Sequence, residues 1–230
     1  MLIKIINQII FKIKGKDFKL DNRISSTYLF SEVTKRSLMI IRGILSFTKN
    51  KGLLFIGKDV TIRAKYLIKF GKGVSIDNEC FIDALSENGI HFGNNVSIGK
   101  RTVIECSGSL KHLGKGLIVG NDVGLGRDCF YGCAGGIKIG TNTIIGNYVS
   151  FHSENHNSSI LDIPIRLQGV NHLGISIGEN CWIGAKVTIL DGVYLGDGCI
   201  VAAGAVLTEG VYECNTIYGG VPAKIIKKRV

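Results

Sequence analysis

Apolar positions recur every six residues through most of this chain. Ile177, Ile183, Ile189, Leu195, Val201 and Leu207 each open a hexad, and a small residue usually stands at its fifth place. A lone strand alternates but does not return to the same cycle. A fixed short period therefore predicts a parallel β-helix, an all-β solenoid with one aliphatic side chain per hexad pointing into a prism. The same cycle runs earlier as Ile56-Gly57 to Val60, Phe70-Gly71 to Val74, Phe92-Gly93 to Val96, Val119-Gly120 to Val123 and Ile139-Gly140 to Thr143. Gly after the aliphatic residue is read as supplying the backbone angles of a tight corner. The fifth place needs a small side chain, and Cys80, Cys129, Cys181 and Cys199 fall there, which makes them core filler.

Composition fits one such domain with a short leading segment: 230 residues at 45% apolar content can bury a substantial core. We expect a basic helical or capping segment over 1–54 and the β-helix over 55–230. The 31 Gly and 2 Pro suit a turn-rich solenoid better than a helical bundle. Seven Cys is an odd number with no paired spacing, and no signal peptide is visible, so a reducing cytoplasm is expected. No apolar run reaches the roughly 18 residues that span a bilayer.

Charge is uneven. The first 51 residues carry eleven Lys and Arg against Asp17, Asp21 and Glu32, which gives 11 − 3 = +8 of the total +10. The opening MLIKIINQIIFKIKGK also sets Ile5, Ile6, Ile9, Ile10 and Ile13 near one helical face. Two readings stand: a cap on the open end of the solenoid, or a basic amphipathic element touching the anionic inner face of a membrane. No nucleic-acid motif accompanies these charges, so nucleic acid is not an expected partner.

Three segments break the hexad rhythm, 84–90, 107–117 and 151–174. The last, around FHSENHNSSILDIPIRLQGVNHLG, is the longest, and an aperiodic stretch of that length inside a compact domain is usually functional. It holds His152, His156 and His172, three of the five histidines, together with Glu154, Asp162 and Arg166.

The coil IGTNTIIGNYVSF, the following SENHN, the segment IGENCWIGAKVTILDGVYLGDGCIVAAGAVLTEGV and the closing GGVPAKIIKKR resemble the hexapeptide-repeat acyltransferases. The specific likeness is to the maltose and galactoside O-acetyltransferase-like branch, which includes polysaccharide-modifying enzymes, and it covers roughly 55 to 228. It implies a left-handed parallel β-helix and a homotrimer that holds acetyl-CoA in grooves between subunits, with no metal. That hand runs against the usual right-handed rule for parallel crossovers.

Counting from Ile139-Gly140, the resemblance places His156 at the family's general base, with Glu154 the nearest group to orient it or to contact the acceptor. His152 is expected to line the acceptor pocket or to face solvent, and Arg166 to hold the acceptor or to be a solvated loop arginine. His172 is read as structural. Trp182 matches the Trp that follows the catalytic loop in this branch, and its flat ring is expected to pack on the pantetheine arm or the acceptor, or to serve packing alone. Ala185, Ala203, Gly204 and Thr208 match the donor-binding positions, and Lys224, Lys227 and Lys228 offer charges to the CoA phosphates. Two departures matter. Glu209 stands where a basic residue is common, and GRDCFYGCAGG places small residues around Gly126 and Ala134, where the galactoside enzymes carry a substrate-binding Asn and a carboxylate. Simple maltose or galactoside specificity is therefore not carried over.

The resulting expectation is an acetyl-CoA-dependent O-acetyltransferase acting on a hydroxyl of a sugar or polysaccharide precursor. The alternative is N-acetylation of an amino sugar or nucleotide-linked amino sugar. Metal-dependent carbonic anhydrases and noncatalytic scaffolds also use β-helices, but the former needs three converging histidines at an open metal position, which the SENHN setting does not match.

Overall fold

The computed structural model describes residues 8, 20, 21, 23–48 and 52–229. The isoleucines of the opening stretch, Ile5, Ile6, Ile9, Ile10 and Ile13, lie outside the described residues, as do Lys4, Lys12, Lys14, Lys16 and Lys19.

Short parallel strands build a three-faced prism. The first face runs from Leu54–Ile56 through Val74–Ile76, Ser97–Ile98, Gly124–Leu125, Ile144–Ile145, Trp182–Ile183 and Ile200–Val201 to Thr216–Gly219, and it ends on the antiparallel strand Lys224–Lys228. The second face holds Thr61–Arg63, Phe81–Asp83, Val103–Glu105, Phe130–Gly132, Ser150–His152, Thr188–Leu190 and Val206–Leu207. The third holds Ile68–Phe70, Ile90–Phe92, Leu117–Val119, Ile137–Ile139, Ile175–Ile177, Val193–Leu195 and Gly210–Tyr212. Each strand pairs with its equivalent one coil away, so like positions stack in columns. Ile177, Ile183, Ile189, Leu195, Val201 and Leu207 are all buried, as the period predicts.

The cysteines also sit where the period places them. Cys80, Cys129, Cys181 and Cys199 are buried and free, joined by Cys106 and Cys133, while Cys214 is exposed. Burial pushes the Cys80 and Cys181 thiols up to about 11, which keeps them protonated and inert at neutral pH.

The glycines after the hexad aliphatics do a different job from the one expected of them. Gly57, Gly71, Gly93, Gly120 and Gly140 have ordinary φ values, and the left-handed residue of the corner comes two places later, at Asp59, Gly73, Asn95, Asp122 and Asn142. What these glycines lack is room. A Cβ on Gly71 would lie 2.4 Å from the Gly93 carbonyl carbon, and one on Gly140 would lie 2.5 Å from that of Gly178. The corner is thus turned by Asn, Asp and similar residues that tolerate left-handed backbone, and Gly is demanded by the closeness of the next coil.

Ahead of the prism lies the helix α1 (Ser26–Ser46), started by Ser25, whose Oγ accepts the Tyr28 N–H at 3.2 Å. Its inner side buries Leu29, Met39 and Gly43 against the first strand, where a Cβ on Gly43 would fall 2.2 Å from the Leu54 carbonyl oxygen. Arg36 Nη1 donates to Ser75 Oγ at 3.0 Å, and Lys35 approaches Asp77 at 3.6 Å. Phe47, just past the helix, meets Phe70 edge-on at 5.0 Å, and Phe70 stacks on Phe92 at 5.7 Å.

Candidate functional site

The 151–174 excursion begins at the end of a second-face strand and returns into a third-face strand, so it projects from the corner between those two faces. Both of its ends are fastened. Ser153, buried to 1% exposure, donates its Oγ to the Gly132 carbonyl at 2.7 Å and accepts the Gly135 N–H at 2.9 Å. At the return, Asp191 accepts the backbone N–H groups of Leu173 and Gly174, each at 2.8 Å, and the Asn155 side-chain amide at 3.4 Å. Asp191 is 2% exposed, so its carboxylate serves the loop and little else.

Between these anchors the chain forms a small antiparallel ladder, with Asn155 opposite Asn171 and His156 opposite Val170. Asn157 closes the next rung through its N–H to the Gly169 carbonyl at 3.1 Å and its side-chain amide to the Gln168 carbonyl at 3.1 Å. Gln168 in turn ties the tip by donating to the Ile160 and Ile163 carbonyls, both at 2.7 Å. The aperiodic sequence is therefore a cross-linked hairpin that presents an exposed His156. Its tip exposes Ile160, Leu161 and Leu167, with Leu161 at 95%.

The predicted loop residues separate by position. No hydrogen bond joins Glu154 to His156 among the described residues; the Glu154 carboxylate instead faces Gly108 of the 107–117 segment, where a Cβ would come within 3.8 Å of Oε1. His152 stays on the second face, its ring 5.6 Å from that of Phe130, and burial lowers its pKa. Arg166 sits exposed in the 3-10 turn Ile165–Leu167 at the hairpin tip. His172 lies over Gly135, whose Cβ would come 2.7 Å from the His172 Cβ, so the small residue beneath makes space for it.

Of the residues expected to bind the donor, Ala185, Ala203 and Gly204 gather elsewhere, along the corner between the first and second faces, whereas Thr208 follows Val206–Leu207 at the corner between the second and third. Trp182 projects from the first face, 55% exposed, in register between Ile144 and Ile200. Ala185 and Ala203 follow on successive coils, linked by the Gly204 N–H to the Ala185 carbonyl at 2.9 Å. Gly204 has φ +72° and nothing within 4 Å of the place a Cβ would take, so it opens that edge to solvent. Thr208 is exposed, and its backbone is held by the Tyr212 hydroxyl, which accepts the Thr208 N–H and donates to its carbonyl, both at 3.0 Å. Lys224 and Lys227 are exposed on the last strand, opposite Gly219 and Ile217, while Lys228 pairs with Glu213 at 2.5 Å. One chain thus carries a narrow, small-residue edge at one corner and the histidine hairpin at another.

Beside the hairpin base, a groove of about 500 Å³ runs over the third face, lined among others by Lys138, Ile118, Tyr194 and Leu173. Its rim is a column of glycines with left-handed backbone on successive coils, Gly116, Gly136, Gly174 and Gly192. Sequence reading missed both this column and Asp191. Asp191 takes the third place of its hexad, as the exposed Glu179, Asp197 and Glu209 do in neighbouring hexads, so only its burial sets it apart. No group of three or more potential metal ligands occurs among the described residues.

Comparison with known proteins matches residues 174–209 to the bacterial transferase hexapeptide (six repeats) family. A Mycobacterium tuberculosis protein named as a probable acetyltransferase is 29% identical over 182 residues, covering 78% of this chain and 51% of its own. An Escherichia coli K12 protein named as a putative lipopolysaccharide biosynthesis O-acetyl transferase is 31% identical over 99 residues, covering 40% of this chain and 50% of its own. The chain spans about half the length of these curated relatives. Among solved structures, the Bacillus cereus N-acyltransferase AntD, in complex with dTDP and 3-hydroxybutyryl-CoA, superposes with a TM-score of 0.55 at 20% identity, over 82% of this chain and 88% of that one. The shared architecture is the left-handed parallel β-helix of hexapeptide repeats.

Proposed function

This chain is a hexapeptide-repeat protein with acetyltransferases among its relatives, and on that premise we propose that it moves an acetyl group from acetyl-CoA to a hydroxyl of a sugar or polysaccharide precursor. The observation that carries this reading is His156, held on a fastened hairpin immediately ahead of the repeats that match the transferase family. A sugar hydroxyl is a weak nucleophile. A neutral imidazole takes its proton as the oxygen attacks the thioester carbonyl; the tetrahedral centre then collapses, the C–S bond breaks, and the departing CoA sulfur receives a proton. No covalent enzyme intermediate is needed.

The edge formed by Trp182, Ala185, Ala203 and Gly204 is the proposed donor track, with Thr208 beyond its end at the next corner. Small side chains let an extended pantetheine lie against backbone, Trp182 offers a flat apolar surface, and Lys224 and Lys227 supply positive charge for phosphates. This track and His156 occupy different corners of one prism. The proposed site is therefore built between copies of a homotrimer, with the hairpin of one subunit reaching the track of the next and its apolar tip covered there. Glu154, His152 and Arg166 fall to the acceptor side of that cleft. The O-acceptor is favoured by the lipopolysaccharide O-acetyl transferase name of the E. coli relative.

The test is transfer from labelled acetyl-CoA to matched hydroxyl and amino sugars. Label in an alkali-labile ester supports the proposal; label only in a stable amide overturns the choice of acceptor atom, and failure to bind CoA by calorimetry overturns the enzyme.

A further inference from the structure

The outer side of α1 is as apolar as its inner side. Phe30 is 70% exposed, Leu45 74%, Ile44 63% and Ile41 52%, and Val33 and Leu38 are also exposed. At helical spacing Phe30, Leu38, Ile41 and Leu45 share the side opposite Leu29, Met39 and Gly43, which are buried on the prism, and Val33 and Ile44 lie on its flank. Solvent does not select such a stripe, and packing among the described residues does not use it.

We propose that this outer side of α1 lies in the interface of an anionic lipid bilayer. The charge of the surrounding sequence distinguishes that occupant from a second copy of the chain. Residues 1–51 hold +8 of the total +10, and α1 itself carries a single acidic residue, Glu32, against Lys35, Arg36 and Arg42. Lys35 and Arg36 turn toward Asp77 and Ser75 of the prism, which leaves Arg42 of the helix for headgroups. Two copies meeting through this side would bring like charges together, whereas an anionic surface draws the segment in and accepts the apolar stripe. Contact is interfacial, since no described helix is long and apolar enough to cross a membrane. A bound prism would then work beside a lipid surface.

Vesicle sedimentation of the full chain tests this. Pelleting is expected with vesicles of phosphatidylglycerol and phosphatidylethanolamine at low salt, and at least about tenfold weaker with phosphatidylcholine or in strong salt. Replacing Phe30, Ile41 and Leu45 together by Ser lowers partitioning on the order of 100-fold, since each loses most of its apolar area. Should that variant fold poorly, a conservative one decides: Phe30→Trp, in a Trp182→Phe background that leaves one tryptophan, is quenched by lipids brominated on their acyl chains. Absence of pelleting with the anionic vesicles, pelleting unaffected by the triple replacement, or an unquenched Trp at 30 overturns the proposal. A triple variant that loses subunit association while the parent ignores lipid assigns the stripe to a second copy instead.

Discussion

Asp191 and Leu173, on adjoining coils, are joined by the Leu173 N–H donating to both carboxylate oxygens, at 2.8 Å to Oδ2 and 3.1 Å to Oδ1. Gly174 and Asn155 donate to the same group, so one buried side chain fastens both strands of the hairpin that presents His156. Asp191→Ala should cost roughly 2–4 kcal/mol, because the amides it serves lose a buried acceptor. The same change should make the 153–174 segment a site of rapid proteolytic cutting. Denaturant unfolding and limited proteolysis check both, and an unchanged cutting pattern would mean that the hairpin holds itself.

His156→Ala should reduce acetyl transfer by about 10² to 10⁴, the usual contribution of a general base. CoA affinity and subunit association should stay close to the parent values, because the side chain is exposed and the ladder to Val170 runs through backbone. Turnover within a few-fold of the parent would remove His156 from the chemistry.

Two glycines on neighbouring coils separate crowding from conformation. A Cβ on Gly184 meets the Ala203 nitrogen at 2.6 Å and the Val201 oxygen at 2.8 Å, so Gly184→Ala should destabilise by about 3 kcal/mol through forced separation of coils. Gly204 has left-handed backbone and open space, so Gly204→Asn should be within about 0.5 kcal/mol of the parent, as Asn tolerates that conformation. Thermal unfolding of the two variants gives the comparison, and equal losses would contradict the division of labour between the second and fourth hexad places.

Tyr131 is wholly buried, stacked on Phe151 at 4.9 Å, and its Oη has no nitrogen or oxygen partner. Burial with only the weakly bonding Cys129 thiol for company is a cost the fold carries. Tyr131→Phe should leave stability unchanged or raise it by about 1 kcal/mol, measured as the midpoint of urea unfolding. A clear loss would reveal that the hydroxyl is used.

Burial lowers the pKa of His152, and burial together with the nearby Lys69 lowers that of His91. Between the lowered folded value and the usual imidazole value, the unfolded chain binds more protons than the folded one. Stability therefore rises with pH through that window and is lost as pH falls below the usual value. The fall in Tm from about pH 8 to about pH 5 should be smaller in His152→Gln than in the parent, and an identical fall would show that His152 titrates as in the open chain.

The hexad period determines most of the prism, because inward and outward positions of a stacked coil follow from local repetition alone. Ile177 to Leu207, Cys80, Cys129, Cys181 and Cys199 all lie where counting places them. The interruption at 151–174 is equally visible, and with it the three histidines. Glycine is harder to read because one letter serves two needs. Gly140 and Asn142 share one corner, yet the first answers to the neighbouring coil and the second to its own backbone, and only the stack distinguishes them.

What the chain determined by itself is thus the repeat, the residues it buries, and the place where it lapses; each depends on residues near one another in sequence. Tertiary structure alone decided that Asp191 belongs to the hairpin, that Glu154 faces Gly108 and not His156, and that the small-residue edge at Ala185 and Ala203 lies a corner away from His156. Those relationships join separate coils and faces, and which side chains meet there is set by how the coils stack.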